Sequence, residues 1–415
     1  MTIAIRSIPI KASSSFVIGF PYLGRKFLDR VVRSLTRSLS RGRISFVLAD
    51  GYEIVCDSGS DGPEAVMKIH SSSALRRMVS GGYMGLGEGY LAGEWSTPSL
   101  PDLFAFGLAN QGQLDLNLSG GLVIRLANSV LHFLRRNSRY GSRKNIADHY
   151  DLGNDFFACW LDPSMTYSSA LFQDVKEDAL MGAQLNKYRR IVQELDIKPN
   201  HHVLEIGCGW GGFVEYAARE TGAWMTAITI SQGQHDYAVK RTNAAGLGDR
   251  VKIQLKDYRD IQGKYDRIVS IEMLEAVGET YWPRYFQSVS NCLVKGGQAL
   301  IQVITVPDDD FEEYRSSVDF IQRYIFPGGM LISADKFRGC AEKAGLELNG
   351  QFMFGKSYAT TLGFWREAFL CSWNEIETLG FDERFKRLWE YYLAYTAAGF
   401  KAGAIDVGQF CLIKN

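Results

Sequence analysis

Val203-Leu204-Glu205-Ile206-Gly207-Cys208-Gly209-Trp210-Gly211-Gly212-Phe213 decides the fold. An apolar run carrying one carboxylate enters a glycine cluster, and an amphipathic pattern follows. Glycines at a strand's carboxyl end permit a tight turn and let a ligand lie against bare peptide groups. The spacing is Gly207-x-Gly209-x-Gly211-Gly212, whereas a dinucleotide fold favours GxGxxG with a pyrophosphate on the helix N-terminus. A glycine turn without a ligand and a dinucleotide site are the two competing readings of the loop taken alone.

Outward from the loop, strands and helices alternate. Strands are expected at 202–206, 224–230, 251–255, 265–271 and 298–304, with helices near 212–220, 232–245, 281–293, 334–345, 363–376 and 382–398. Such alternation predicts an α/β fold with a mostly parallel sheet covered on both faces. Ligands of these sheets sit beyond the carboxyl ends of the strands, near the reversal of strand order. The domain is expected over 147–415.

Upstream, Ile44–Leu48 and Tyr52–Val55 flank Asp50-Gly51, a hairpin signal that opens a small α+β domain at 44–115. Within it, glycines at 81, 82, 85, 87, 89 and 93 interrupt Tyr83, Leu86, Tyr90, Leu91 and Trp95, which suggests close backbone packing or a lipid-facing surface. A basic linker is expected at 116–146. Residues 1–43 hold an amphipathic helix candidate whose apolar positions include Val31, Val32, Leu35 and Leu39. Between Met1 and Ala49 the only acid is Asp29, against nine Lys and Arg. That helix either lies on an anionic membrane surface or packs on the body with a solvated basic face.

Composition narrows the function. Lys plus Arg and Asp plus Glu are balanced at 46 each in 415 residues, so no global field attracts nucleic acid. The seven cysteines are scattered and lack CxxC pairs, which predicts a reducing compartment and no zinc site or disulfide framework. No apolar run reaches the ~18 residues of a membrane span.

Further motifs fall at strand ends: Thr229-Ile230-Ser231 with Gln234, Lys256-Asp257-Tyr258-Arg259, and Glu272-Met273-Leu274-Glu275-Ala276-Val277-Gly278. Before the sheet lie His149-Tyr150-Asp151-Leu152-Gly153-Asn154 and Thr166-Tyr167-Ser168-Ser169-Ala170. After it lie Phe326-Pro327-Gly328-Gly329 and Tyr358-Ala359-Thr360-Thr361. The Glu205-x-Gly207-x-Gly209-x-Gly211 pattern is similar to motif I of S-adenosylmethionine-dependent methyltransferases. With the ordered motifs, the chain resembles the cyclopropane-fatty-acyl-phospholipid synthase family, related to the mycolic acid cyclopropane synthases. The likeness is strong over 147–415 and looser over 44–115.

That resemblance implies a Rossmann-like class I methyltransferase domain using S-adenosylmethionine. It assigns cofactor contacts to Tyr167, Ser168, Glu205, Gly207, Gly209, Gly211, Thr229, Ile230, Gln234, Asp257 and Tyr258. Gln234 would meet ribose hydroxyls and Asp257 the adenine amino group. His149 and Tyr150 would anchor the region over the cofactor. A second site, implied to bind bicarbonate as base, falls on Ser169, Glu275, Gln302, Ile304 and Tyr358. Two positions depart from the bacterial pattern, which has cysteine where Ser169 stands and histidine where Gln302 stands. Glu272 replaces a small residue of the best-known bacterial members, and plant members carry a similar Glu and Gln. Glu272 is expected within reach of the Glu275 pocket and could assume the bicarbonate's role.

The implied reaction is attack of an acyl-chain cis alkene on the sulfonium methyl, followed by proton loss from the new methyl group and closure of a cyclopropane. Tyr358 and Trp365 are candidates to face the cation, although Trp365 reads more simply as core. If the proton leaves the chain instead, a methyl-branched unsaturated or methylene fatty acid results. A non-catalytic lipid-binding protein and a soluble small-molecule methyltransferase are the remaining alternatives. The expected partner is unsaturated phospholipid, met by peripheral association at the inner face of the membrane from the cytoplasm, with no nucleic acid. A homodimer stays open.

Overall fold

The computed structural model describes residues 39–112, 152–174 and 179–415, with Asp29 and Val32. The expected linker, most of the basic N-terminal segment, His149 and Tyr150 lie outside the described residues. From the N-terminal segment, Val32 is buried in the core of the small domain.

Twelve strands are described. β1 (Arg43–Leu48), β2 (Glu53–Asp57), β3 (Glu64–Ile69) and β4 (Trp95–Ser96) form the first sheet, in the order β2-β1-β3-β4. β1 and β2 pair antiparallel from Arg43↔Asp57 to Val47↔Glu53, as the Asp50-Gly51 turn predicts. The glycine-rich stretch lies mainly in a helix, Ser72–Leu91, broken at Gly82 where φ is 56° and ψ −137°. Of the two readings of those glycines, close packing is the one observed for Gly85, Gly87 and Gly89, which are buried. A Cβ on Gly87 would stand 2.6 Å from the ring of Phe320, and one on Gly89 3.1 Å from Trp95. The small domain's core therefore incorporates Phe320, Tyr391 and Ala394 of the later chain. Hydrogen bonds Tyr324–Glu88 (2.7 Å) and Tyr90–Glu390 (2.9 Å) reinforce that junction.

The second sheet contains β5 (His202–Ile206), β6 (Trp224–Thr229), β7 (Val251–Leu255), β8 (Tyr265–Ile271), β9 (Leu293–Val306), β10 (Ile332–Ser333), β11 (Leu346–Met353) and β12 (Asp406–Lys414). Its order is β11-β12-β9-β8-β5-β6-β7, with β10 beside β9. The strands from β9 through β7 in that order pair parallel. β12 inserts antiparallel between β9 and β11, with Gln409 opposite Gln302. The chain travels outward from β5 through β6 and β7, then returns to β8 on β5's other flank. The reversal of order thus lies between β5 and β8, and two loops meet there: the glycine loop after β5 and the Glu272 turn after β8.

Sequence boundaries hold closely for β5 to β8. β9 is longer than expected, and the helix expected at 363–376 is two, Gly355–Cys371 and Trp373–Thr378. β11, β12 and the helix Leu180–Glu194 were not anticipated. The Gly355–Cys371 and Glu383–Ala402 helices enclose an aromatic core with Phe156, Trp160, Trp365 and Trp389, each at most 2% exposed. Burying one such side chain contributes roughly 1.5–3 kcal/mol, so this layer holds the segment at 152–171 firmly over the sheet. Among the described residues, no helix is long and apolar enough to cross a membrane.

Candidate active site

The glycine loop forms the floor of a cleft of about 1070 Å³, counting its open mouth. Gly207 has φ +85°, and an added Cβ would stand 2.9 Å from the Met273 side chain. The loop is pinned by Gly207 and Cys208 N–H groups donating to the Ile228 carbonyl, both at 3.0 Å. Gly207 and Gly209 line the cleft. Gly211 does not: its Cα side faces Ala238, 3.0 Å from a built Cβ, so it serves close packing of the Gln232–Ala244 helix rather than ligand contact.

Tyr167, Ser168, Glu205, Thr229, Ile230, Gln234, Asp257 and Tyr258 all line the same cleft. Thr229 Oγ1 donates to Gln234 Oε1 at 2.9 Å, which fixes the amide at the rim. Asp257 is held by Arg259 through Nε (2.8 Å) and Nη2 (2.5 Å). Its carboxylate therefore meets a ligand with part of its accepting capacity already committed to an arginine that also lines the cleft. Glu205 is 2% exposed and its Oε2 has no hydrogen-bond partner among the described residues. Burial pushes its carboxyl up to about 8, against the pull of Lys187. An orphaned buried carboxyl oxygen beside bare peptide and a polar rim fits a ligand with an amino-acid end and a nucleoside end, as S-adenosylmethionine has.

Glu272 joins this cleft to a second pocket. It lines the cleft, and its backbone turns in the left-handed region (φ +50°) directly after β8, with its N–H donating to the Gln302 carbonyl at 2.8 Å. A non-glycine residue here costs roughly 1–2 kcal/mol of strain. The turn drives the side chain inward, where three donors converge on the carboxylate. Ser169 N–H (2.8 Å) and Gln302 Nε2 (2.8 Å) reach Oε1, and the Tyr358 hydroxyl (2.6 Å) reaches Oε2. These three residues were assigned to bicarbonate by resemblance, and here their donors are taken by the carboxylate of Glu272. The serine hydroxyl of Ser169 points elsewhere, to the Ala170 carbonyl.

Glu275 lies beside it, half-buried as a residue like Glu272, with its carboxyl Oε2 out of reach of solvent. Its Oε1 accepts from Ile304 N–H at 2.7 Å, and its Oε2 has no partner among the described residues. Burial, then the charge of Glu272, pushes Glu275 up to about 8. Burial raises Glu272 as well, opposed by Lys187, Tyr358, Gln302 and Ser169. Two buried acids this close do not both ionise at neutral pH. Glu272, with three donors, has the better stabilised charged form, and burial beside it favours the protonated form of Glu275.

Trp365 is core, wholly buried with ring centroids 5.2 Å from Tyr167 and 6.0 Å from Tyr358. Four site-associated residues escaped the sequence reading. Arg259 grips Asp257, and Gln409 Nε2 donates to Gln302 Oε1 at 3.0 Å, turning the Gln302 amide N–H toward Glu272. Gln184 and Lys187 contact Ser168. Polar residues on the inward face of an amphipathic helix were a usable signal for the last two; Gln409 carried none.

The family described as mycolic acid cyclopropane synthetase matches residues 137–410. The chain is 39% identical over 403 residues to the tuberculostearic acid methyltransferase UfaA1 of Mycobacterium tuberculosis, covering 92% of this chain and 90% of that one. It is 36% identical over 350 residues to the cyclopropane-fatty-acyl-phospholipid synthase of Escherichia coli strain K12, covering 83% and 87%. Its fold matches the mycolic acid cyclopropane synthase CmaA1, solved in complex with SAH and CTAB, at TM-score 0.62 and 28% identity over 66% of this chain and 98% of that one. The glycine cleft at the strand reversal and these likenesses agree: the chain belongs to the mycolic acid cyclopropane synthetase family and is an S-adenosylmethionine-dependent methyltransferase.

Proposed function

We propose that this enzyme transfers the methyl carbon of S-adenosylmethionine to the cis double bond of an unsaturated phospholipid acyl chain, and that Glu272 takes the proton whose loss closes a cyclopropane ring. The observation that supports this reading is a carboxylate that lines the cofactor cleft at the end of β8 and accepts three hydrogen bonds. S-adenosylmethionine supplies an electrophilic methyl carbon, held by Tyr167, Ser168, Glu205, Gly207, Gly209, Thr229, Ile230, Gln234, Asp257 and Tyr258. The alkene's π electrons form the new carbon–carbon bond as the sulfonium S–CH3 bond breaks, its electron pair staying on sulfur as SAH leaves, and positive charge remains on the acyl chain. Tyr167, backed by Trp160 and Trp365, offers that charge a π face, worth about 2 kcal/mol when desolvated. Glu272 then accepts one proton from the added methyl group, and the C–H electrons close the ring. Ser169, Gln302 and Tyr358 hold the carboxylate in its basic form and orientation, while protonated Glu275, tied to Ile304, keeps negative charge from accumulating beside it. In this reading bicarbonate is not needed, because a side chain occupies its donors.

A second reading follows from the 39% identity to a methyltransferase of tuberculostearic acid. After the same methyl transfer, proton loss from the acyl chain gives a methyl-branched alkene, and a 1,2-hydride shift followed by proton loss from the added methyl gives a methylene product; either retains an alkene. In either case the substrate resides in a bilayer, so the enzyme works as a peripheral protein at the membrane surface, from the cytoplasmic side.

Purified enzyme, S-adenosylmethionine and vesicles of cis-unsaturated phospholipid test the proposal by mass spectrometry of the acyl chains. An acyl chain one CH2 heavier and resistant to ozone is expected; an ozone-cleavable product one CH2 heavier establishes the second reading. Absence of transfer overturns both. Full turnover in bicarbonate-depleted buffer is expected, with bicarbonate dependence appearing in Glu272→Gly. Native bicarbonate dependence that this substitution leaves unchanged rejects Glu272 as the base.

A further inference from the structure

Behind the cleft lies a buried cation with no part in the chemistry above. The helix Leu180–Glu194 turns Gln184, Lys187, Tyr188 and Ile191 inward, positions three or four apart that share one face. Gln184 and Lys187 are each wholly buried, a placement that is costly unless the polar groups are partnered. Lys187 Nζ donates to Ser168 Oγ and to Gln184 Oε1, both at 2.6 Å. Gln184 Nε2 donates to the Ser168 carbonyl at 2.9 Å. Side chain and backbone of one serine are thus gripped by one helix face.

What that serine does makes the grip informative. Ser168 lines the cofactor cleft, and the next N–H, that of Ser169, is one of the three donors to Glu272. A single peptide walls the cofactor on one side and orients the base on the other. Both groups bonded to Lys187 are neutral. The charges facing it at longer range are Glu272, Asp162 and Glu205, with the Tyr188 ring 4.9 Å away. Burial lowers the lysine to about 7 in spite of those acids. Around Glu272, the titratable groups are Lys187, Glu275 and Tyr358, so Lys187 is the cation that favours its ionised form.

We propose that Lys187, together with Gln184, is a positioning residue that clamps the Ser168–Ser169 peptide between cofactor cleft and base, so that cofactor affinity and the ionisation of Glu272 depend on one buried ammonium. The ionisation half rests on Glu272 being the base. The geometric half does not.

The experiment compares full-length Lys187→Met and Lys187→Gln with the native enzyme, by calorimetric titration with SAH and by the pH profile of kcat on vesicles of cis-unsaturated phospholipid. Lys187→Met removes donor and charge. It is expected to weaken SAH binding about ten-fold, as loss of a charged hydrogen bond does, and to move the acid limb upward by about one pH unit, because burial then acts on Glu272 without the opposing charge of Lys187. Lys187→Gln keeps a donor without charge, so SAH affinity returns to within about three-fold of native while the acid limb stays displaced. A folded Lys187→Met protein, checked by circular dichroism, with native SAH affinity and an unmoved limb overturns the proposal. Should Lys187→Met not fold, Lys187→Gln decides alone, and an unmoved limb overturns it. If native enzyme turns over no lipid, the Glu272 reading falls, and the SAH titrations still decide the clamp.

Discussion

The cofactor cleft and the base pocket share Glu272, yet they are built differently. The cleft gathers residues that directly follow β5, β6, β7 and β8, each delivered to the same edge by its strand. The base pocket joins Ser169, Glu272, Glu275, Gln302, Ile304 and Tyr358, which come from four separate parts of the chain. The cleft sets glycine peptides beside the polar side chains of Glu205, Gln234 and Asp257. In the pocket, every buried polar atom either has its donor or alters a neighbour's charge. The difference teaches that cofactor binding follows from topology, whereas base chemistry follows from one network of side chains.

The strongest way to break that contrast is Glu272→Gln. A lost general base lowers rates by ~10²–10⁴, so kcat should fall by about that factor with SAH affinity preserved. An equal loss in affinity would merge the two regions into one. The native acid limb should lie above the usual glutamate range, since burial raises Glu272 and activity disappears as pH falls through its pKa.

Gly207→Ala probes the other side. The φ of +85° and the Met273 contact oppose a Cβ, and a left-handed non-glycine residue costs roughly 1–2 kcal/mol. SAH affinity by calorimetry should drop about ten-fold, with the acid limb unmoved.

Glu275 gives a stability signature. Its carboxyl rises from 4.5 to about 8 on folding, so within that window the native state binds a proton that the unfolded chain has released. Stability therefore falls as pH rises from 4.5 toward 8, and Glu205 adds in the same direction. In Glu275→Gln, Tm measured across that window should decline less steeply than in the native protein. The smallest effect belongs to Gln409→Leu. Freeing the Gln302 amide to turn should reduce kcat about three-fold, a fraction of one hydrogen bond, and leave SAH affinity intact.

Strands β5 to β8 were legible because each is a short apolar run closed by a turn signal. β11 and β12 were not, because Asn349-Gly350 interrupts the apolar alternation of the first and Gly408-Gln409 that of the second. The glycines at 85, 87 and 89 were visible as a pattern, but only the Arg77 carbonyl, Phe320 and Trp95, in that order, give their reason. Gly211 looked like a ligand glycine because a sequence does not say which side of a loop faces a helix. Glu272 and Glu275 were visible as neighbours, while the convergence of Ser169, Gln302 and Tyr358 on Glu272 was not. Family membership replaces the non-catalytic alternative that sequence left open.

By itself, the order of residues determined an α/β sheet with a glycine-floored ligand cleft, since hydrophobic periodicity and backbone freedom are local properties. Tertiary structure alone decided that Ser169, Gln302 and Tyr358 converge on the carboxylate of Glu272, that Glu275 meets Ile304 beside it, and that Lys187 stands behind Ser168. Those are matters of distance and burial between segments far apart in the chain, and electrostatic energy depends on both.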